Sequence, residues 1–122
     1  MVRDRGWLAL GALYGLIAVA AAAGAAHLAD GKLAIAKRVS ATALASAVQM
    51  NGWHALALVL CSLLGGGAIV NAAATCFAVG VLLFCGSVYA GLLGLSLGPV
   101  TPVGGGILIL GWFFMGLSAI RR

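Results

Sequence analysis

Acidic side chains are almost absent from this 122-residue chain, which has no glutamate and only two aspartates, Asp4 and Asp30. No charged residue occurs between Val39 and Ile120. Proton relays inside membranes usually need carboxylate or histidine chains, so this lack argues against an ion-coupled pump working alone. The seven basic residues lie near the two ends and around the first loop, not on one hydrated face, and this argues against nucleic-acid binding.

Metal-binding and catalytic patterns are also missing. The three cysteines, Cys61, Cys76 and Cys85, lack the close spacing of zinc or iron–sulfur ligands. We interpret them as small buried apolar residues and expect no metal or cofactor. No Ser–His–Asp arrangement is evident, and the glycines at 104–106 have no phosphate-loop lysine near them. These absences lead us to expect that the protein is not an enzyme.

Hydrophobic residues, by contrast, make up 64% of the chain, and charged residues only 7%. A typical soluble domain has roughly 25% charged residues. Roughly 20 apolar residues suffice to cross a bilayer. We place four such spans at 6–28, 42–64, 72–93 and 102–120, the first being too long for a signal peptide. The sequence therefore predicts an all-α fold in which one domain forms a bundle of four transmembrane helices.

Turn and capping residues set the expected helix boundaries. The glycines at 65–67 should end the second helix. Asn71 is suited to cap the third helix, and Thr101 with Pro102 to begin the fourth. The alanine-rich segment 33–49 is expected to form an interfacial lead-in to the second span.

The distribution of basic residues predicts the orientation. With four spans both termini lie on one side of the membrane. That side has four basic residues, and the first loop has three. By the positive-inside rule, we expect both termini in the cytoplasm. The four terminal residues are Arg3, Arg5, Arg121 and Arg122, and those of the first loop are Lys32, Lys37 and Arg38.

Small and hydroxyl-bearing residues indicate how the helices pack. Gly11 and Gly15 form a GxxxG pattern in an alanine-rich helix, and such small residues let helix backbones approach closely. Ser87 and Tyr89 of the third span are expected to form interhelical hydrogen bonds. The pattern therefore predicts a close-contact face on the first helix.

His54 is the most informative single residue, because an ionisable residue inside a membrane span is a candidate functional site. Asn51 lies one turn before it on the same face. We favour a structural role, in which His54 faces the bundle interior and bonds to Ser87 or Tyr89, over proton relay or ligand binding. His27 is expected at the interface, about 18 Å from the depth of His54, so the two are badly placed to share one haem within a chain.

Several short motifs carry a resemblance to a known family. They lie in the first helix, in the segment beginning at Trp53, in the segment ending at Tyr89, and around Pro102 and Trp112. In this order and spacing the chain resembles the membrane proteins catalogued as domain of unknown function 423. It departs from the family's usual pattern at residues 47–51 and at Cys85, where serine is usual. The resemblance implies a small four-helix protein of the bacterial inner membrane, with motif residues His27, His54, Ser87, Tyr89, Pro102 and Trp112, and it implies no activity.

The function that we expect is that of a non-enzymatic accessory or scaffolding subunit. Its partners would be the lipid bilayer and either other membrane protein subunits or further copies of itself. One alternative is an oligomeric permease for a small molecule or ion, with His54, Asn51 and Tyr89 lining the path. Another is a redox membrane subunit that contacts quinone or haem through His54.

Overall fold

A computed structural model of the protein describes residues 4–29, 40–65, 67–95 and 97–121. These residues form four α-helices and no strand: α1 (Arg5–Ala29), α2 (Ala41–Leu64), α3 (Ala68–Leu92) and α4 (Val100–Ile120). Each helix is long and apolar enough to cross a membrane. The prediction of an all-α, four-span protein is confirmed. The basic residues of the first loop, and residues 33–39 of the expected lead-in, lie outside the described ranges.

The helices run alternately up and down. The N–H of Asp4 donates to the carbonyl of Ser62 at 3.1 Å, and Trp7 Nε1 donates to Asn71 Oδ1 at 3.1 Å. The start of α1 therefore lies beside the end of α2 and the start of α3. Helices α2 and α3 form the central pair, while α1 packs mainly on α2 and α4 mainly on α3.

Local side chains satisfy the backbone at several helix ends. Asp4 Oδ1 accepts from the N–H of Trp7 at 3.1 Å, and Ser40 Oγ accepts from the N–H of Ala43 at 3.0 Å. Both are N-terminal caps, which supply an acceptor to an otherwise unpaired N–H. Helix α2 ends at Leu64 and is followed by Gly65 with a φ of 75°, so the helix stops at the glycine run as predicted.

Two helix starts differ from the sequence-based expectation. Helix α3 begins at Ala68, and Asn71 uses its side chain to accept from Trp7 instead of capping the helix. Helix α4 begins at Val100, so Pro102 lies within its first turn instead of at its first position. A proline is tolerated there because the first-turn N–H groups have no acceptor within the helix.

Glycines bring α3 and α4 into backbone contact. A Cβ added to Gly104 would lie 2.9 Å from Phe84 Cα and 3.0 Å from the carbonyl oxygen of Gly80. One added to Gly111 would lie 2.7 Å from the ring of Phe77. Because real Cβ atoms do not make such contacts, the observed approach requires glycine at position 104, where the obstruction is backbone, whereas a Cβ at position 111 would require the Phe77 ring to shift.

Helix α1 meets α2 closely at only one of its two predicted glycines. A Cβ on Gly11 would lie 3.0 Å from the carbonyl oxygen of Ala55, whereas one on Gly15 would meet only Ala55 Cβ at 3.9 Å. The second distance is ordinary van der Waals contact. The close approach predicted for the GxxxG pattern is therefore found at Gly11.

Candidate functional site

The candidate site is centred on His54, which lies inside the bundle with 3% of its surface exposed. Its Nδ1 is 2.6 Å from the carbonyl oxygen of Met50, and Trp112 Nε1 lies 2.9 Å from its Nε2. The indole N–H is only a donor, so Nε2 must accept and Nδ1 must carry the proton. A single neutral tautomer thus satisfies both ring nitrogens.

Two aromatic rings surround the imidazole. The ring centroid of His54 is 5.4 Å from that of Phe77 on α3 and 5.8 Å from that of Trp112 on α4, and the latter two rings are 4.9 Å apart. All three pairs are tilted or edge-on, the arrangements that aromatic pairs prefer. The cluster therefore joins α2, α3 and α4 near the middle of the bundle.

The expected hydrogen-bond partners of His54 were wrong, because Tyr89 bonds instead to Asn51 and helix register places Ser87 too far away. Cys85 Sγ donates to the carbonyl of Ala47 at 3.1 Å, which sets the pairing of the antiparallel α2 and α3. In that register Ser87 lies opposite residue 45, about 13 Å along α2 from His54 at 1.5 Å per residue. Trp112 of α4 makes the bond instead.

Asn51 and Tyr89 form a separate polar pair. Asn51 Nδ2 donates to Tyr89 Oη at 3.0 Å, so the expectation of an interhelical bond from Tyr89 is met. Asn51 is 1% exposed, and its Oδ1 has no hydrogen-bond partner among the described residues. Both side chains line a cavity of about 80 Å³ between α1, α2 and α3. His54 is not among the lining residues, so the three residues expected to share a permease path do not line this cavity together.

Ser87 joins the helices at the α3–α4 turn. Its hydroxyl donates to the carbonyl of Phe84 at 2.9 Å and is also hydrogen-bonded to the hydroxyl of Thr101. Since a hydroxyl has one proton, Thr101 is the donor to Ser87 when Ser87 donates to Phe84. Both residues border an open cavity of about 350 Å³, whose other lining residues are glycines and leucines of the end of α3 and of the turn. Thr101 therefore links two helices and does not cap α4.

The remaining candidate residues are dispersed. Pro102 is exposed on α4, and His27 lies in the last turns of α1 with its side chain outside the described part of the chain. Tyr14 was not predicted from the sequence as a functional or packing residue; its hydroxyl donates to the carbonyl of Ala78 at 2.7 Å and links α1 to α3. A lone tyrosine in an otherwise aliphatic and small-residue stretch was the available signal.

Within the described ranges, no group of three or more His, Cys, Asp or Glu side chains is placed to hold a metal ion.

Comparison with known proteins identifies the family. The family model described as "Protein of unknown function (DUF423)" matches residues 20–105. The chain belongs to this family. It is 33% identical over 121 residues to UPF0382 membrane protein SERP0230 of Staphylococcus epidermidis, covering 94% of this chain and 95% of the relative. It is 32% identical over 124 residues to UPF0382 membrane protein YwdK of Bacillus subtilis, covering 94% and 96%. No solved structure matches significantly.

The family assignment agrees with the architecture of this DUF423 protein. Its relatives are bacterial proteins described as membrane proteins, and its own four helices have the length and hydropathy of membrane spans. The chain is thus an integral membrane protein of the DUF423 family, and the predicted resemblance is confirmed.

Proposed function

We propose that this DUF423 protein is a non-enzymatic accessory or scaffolding subunit of the bacterial inner membrane. It packs through α4 against a helix of a larger membrane complex or of a second copy. The observation that carries the proposal is the outward face of α4, which combines large exposed apolar residues with glycines where an added Cβ would meet no other part of the described chain within 4 Å.

The outward face of α4 has the spacing of a helix-packing seam. Its exposed residues recur at alternating steps of four and three, the period at which one helix lies along another. Ile109 and Phe113 on this face are 73% and 62% exposed. We call this face the α4 seam; its members are Pro102, Gly106, Ile109, Phe113, Gly116 and Ile120.

The two glycines of the α4 seam support packing against a partner helix. No atom lies within 4 Å of a Cβ built on Gly106 or Gly116. No contact within the described chain therefore requires glycine at either position. Glycine also costs about 1 kcal/mol of helix propensity relative to alanine in water. Small residues at membrane helix interfaces allow close backbone approach. A helix from another subunit would make use of both.

The state of His54 supports a structural interior. One ring nitrogen is engaged by the carbonyl of Met50 on the same helix, and the other accepts from Trp112, whose bond links α2 to α4. Because both ring nitrogens are hydrogen-bonded inside the bundle, His54 stabilises the bundle. The outer face of α4 remains available for association with another protein helix.

Affinity purification in mild detergent from the native membrane tests the proposal. We expect the wild-type protein to elute as a complex larger than one chain, and Gly106→Leu and Gly116→Leu each to reduce that species. Ala45→Leu, a similar enlargement at an exposed position of α2, is the matched control and should leave the complex intact. Recovery of a single chain from the wild type, or equal disruption by all three variants, would contradict a role for α4.

We also propose that both termini are cytoplasmic, on the basis of four basic residues on the terminal side against three in the first loop. Reporter fusions after Arg122 and within the first loop should report opposite sides, with the C-terminal fusion in the cytoplasm. A periplasmic C-terminal fusion would reverse the orientation.

A further inference from the structure

The cavity beside Asn51 contains a polar group that the protein leaves unpaired. Asn51 is fully enclosed, and its Nδ2 donates to Tyr89 Oη, but its Oδ1 has no partner among the described residues. An unpaired amide oxygen in a nonpolar interior costs about 1–3 kcal/mol, so buried polar groups are almost always satisfied. The unpaired oxygen therefore indicates a missing donor.

Tyr89 supplies the complementary half of the site. Its hydroxyl accepts from Asn51, and no described residue accepts its own proton. The pair thus offers one free acceptor and one free donor side by side. If the amide is turned over, Tyr89 donates to Oδ1, which leaves Nδ2 as the free donor and the phenol oxygen as a free acceptor. In either orientation, the complementary group must both donate and accept, as a hydroxyl does.

The position of the cavity determines how such a group would arrive. Asn51 lies within α2 about 15–20 Å from either end at 1.5 Å per residue, which is near the middle of a bilayer. Two residues of the cavity wall, Ile17 and Leu82, are 38% and 64% exposed on the outer surfaces of α1 and α3. The cavity therefore opens toward the hydrocarbon, where lipid headgroup hydroxyls do not reach.

From these observations we propose that the cavity binds the hydroxyl end of an apolar alcohol taken from the bilayer. The hydroxyl bridges Asn51 and Tyr89, and the hydrocarbon part leaves between Ile17 and Leu82. The cavity volume is about 80 Å³. A water molecule accounts for about 30 Å³ of liquid, so the space holds the hydroxyl and about two adjoining carbons, with the rest of the molecule in lipid.

Photolabelling of the full-length protein tests this site. The protein is reconstituted in vesicles of phosphatidylethanolamine and phosphatidylglycerol and exposed to octanol carrying a diazirine, or to the matching diazirine octane. We expect the alcohol to label cavity residues such as Leu82, the octane to label them about tenfold less, and excess 1-octanol but not octane to compete. Equal labelling by both probes, as for a cavity that holds water alone, would overturn the proposal.

Three variants separate binding from folding. Tyr89→Phe and Asn51→Leu each remove part of the hydroxyl site and should lower labelling by about tenfold. Gly86→Leu adds a side chain beside the cavity, where no atom lies within 4 Å of its Cβ, and should block labelling while the protein stays folded. Gly24→Leu, at an equally open and exposed glycine of α1 outside the cavity wall, is the control and should label like the wild type. If Asn51→Leu does not fold, the other two variants decide: undiminished labelling of folded Tyr89→Phe and Gly86→Leu protein would contradict the site.

Discussion

Replacement of Gly104 by alanine is the most stringent test of the α3–α4 contact. The added methyl carbon would lie 2.9 Å from Phe84 Cα and 3.0 Å from the carbonyl oxygen of Gly80, and nearer still to Phe84 N. Carbon atoms pack best at about 3.5–4.0 Å, so α3 and α4 must separate locally by at least about 0.6 Å. All three obstructing atoms belong to the backbone, so a change of side-chain rotamer cannot relieve the contact.

The expected cost follows from two opposing effects. Overpacking of a close-packed interior costs about 1–3 kcal/mol, and a backbone obstruction belongs at the upper end of that range. Alanine returns about 1 kcal/mol of helix propensity. We therefore expect Gly104→Ala to lower the free energy of unfolding by about 2 kcal/mol, measured by chemical denaturation of the purified protein in detergent and followed by tryptophan fluorescence.

Gly106→Ala is the matched control, since it is the same change on the same helix at a position with no atom within 4 Å. It should be neutral or slightly stabilising. If Gly104→Ala unfolded at the same denaturant concentration as Gly106→Ala, the close approach of α3 and α4 would be refuted.

Three further perturbations test the remaining contacts by the same unfolding measurement. Trp112→Phe leaves the enclosed Nε2 of His54 without its donor and should lower the free energy of unfolding by about 1–2 kcal/mol. In the Trp112→Phe background, His54→Leu should cost less stability than it does in the wild type, and additive losses in the double variant would exclude the bond. Gly11→Leu should destabilise far more than Gly15→Leu, because only a Cβ added at Gly11 would lie 3.0 Å from the α2 backbone, and equal effects would contradict that geometry. Tyr14→Phe should cost about 0.6 kcal/mol, the average for an interhelical hydrogen bond in a membrane, and a much larger loss would show that the ring rather than its hydroxyl matters.

The four spans could be predicted from the sequence because hydropathy and length alone decide them. The starts of α3 and α4 could not, since Asn71 and Thr101 resemble capping residues but bond instead to Trp7 and Ser87 on other helices. A capping pattern is local, whereas these side chains are engaged by tertiary contacts that no local pattern records. The starts of α3 and α4 therefore differ from the prediction at the two places where the expected capping residue bonds to another helix.

The candidate site was predictable in part. Burial of His54 follows from the cost of an unpaired imidazole in hydrocarbon, but its bond to Trp112 depends on how α4 is placed against α2. The tightest glycine contacts could not be predicted for a similar reason. Gly80 lies on α3 and Gly104 on α4, and a GxxxG pattern records only glycines that lie on the same helix. Pairing across helices needs their register, which composition does not determine.

Site-specific photocrosslinking in the native membrane tests the central claim, that the outward face of α4 packs against another protein helix, most directly. A benzophenone amino acid is placed at Phe113, in the middle of the α4 seam, or at Leu56, which is 71% exposed on α2. We predict that the probe at position 113 crosslinks to a protein, either a second copy or another subunit, while the probe at position 56 reacts with lipid. Crosslinks to lipid alone from position 113, or equal protein crosslinking from both positions, would contradict the account.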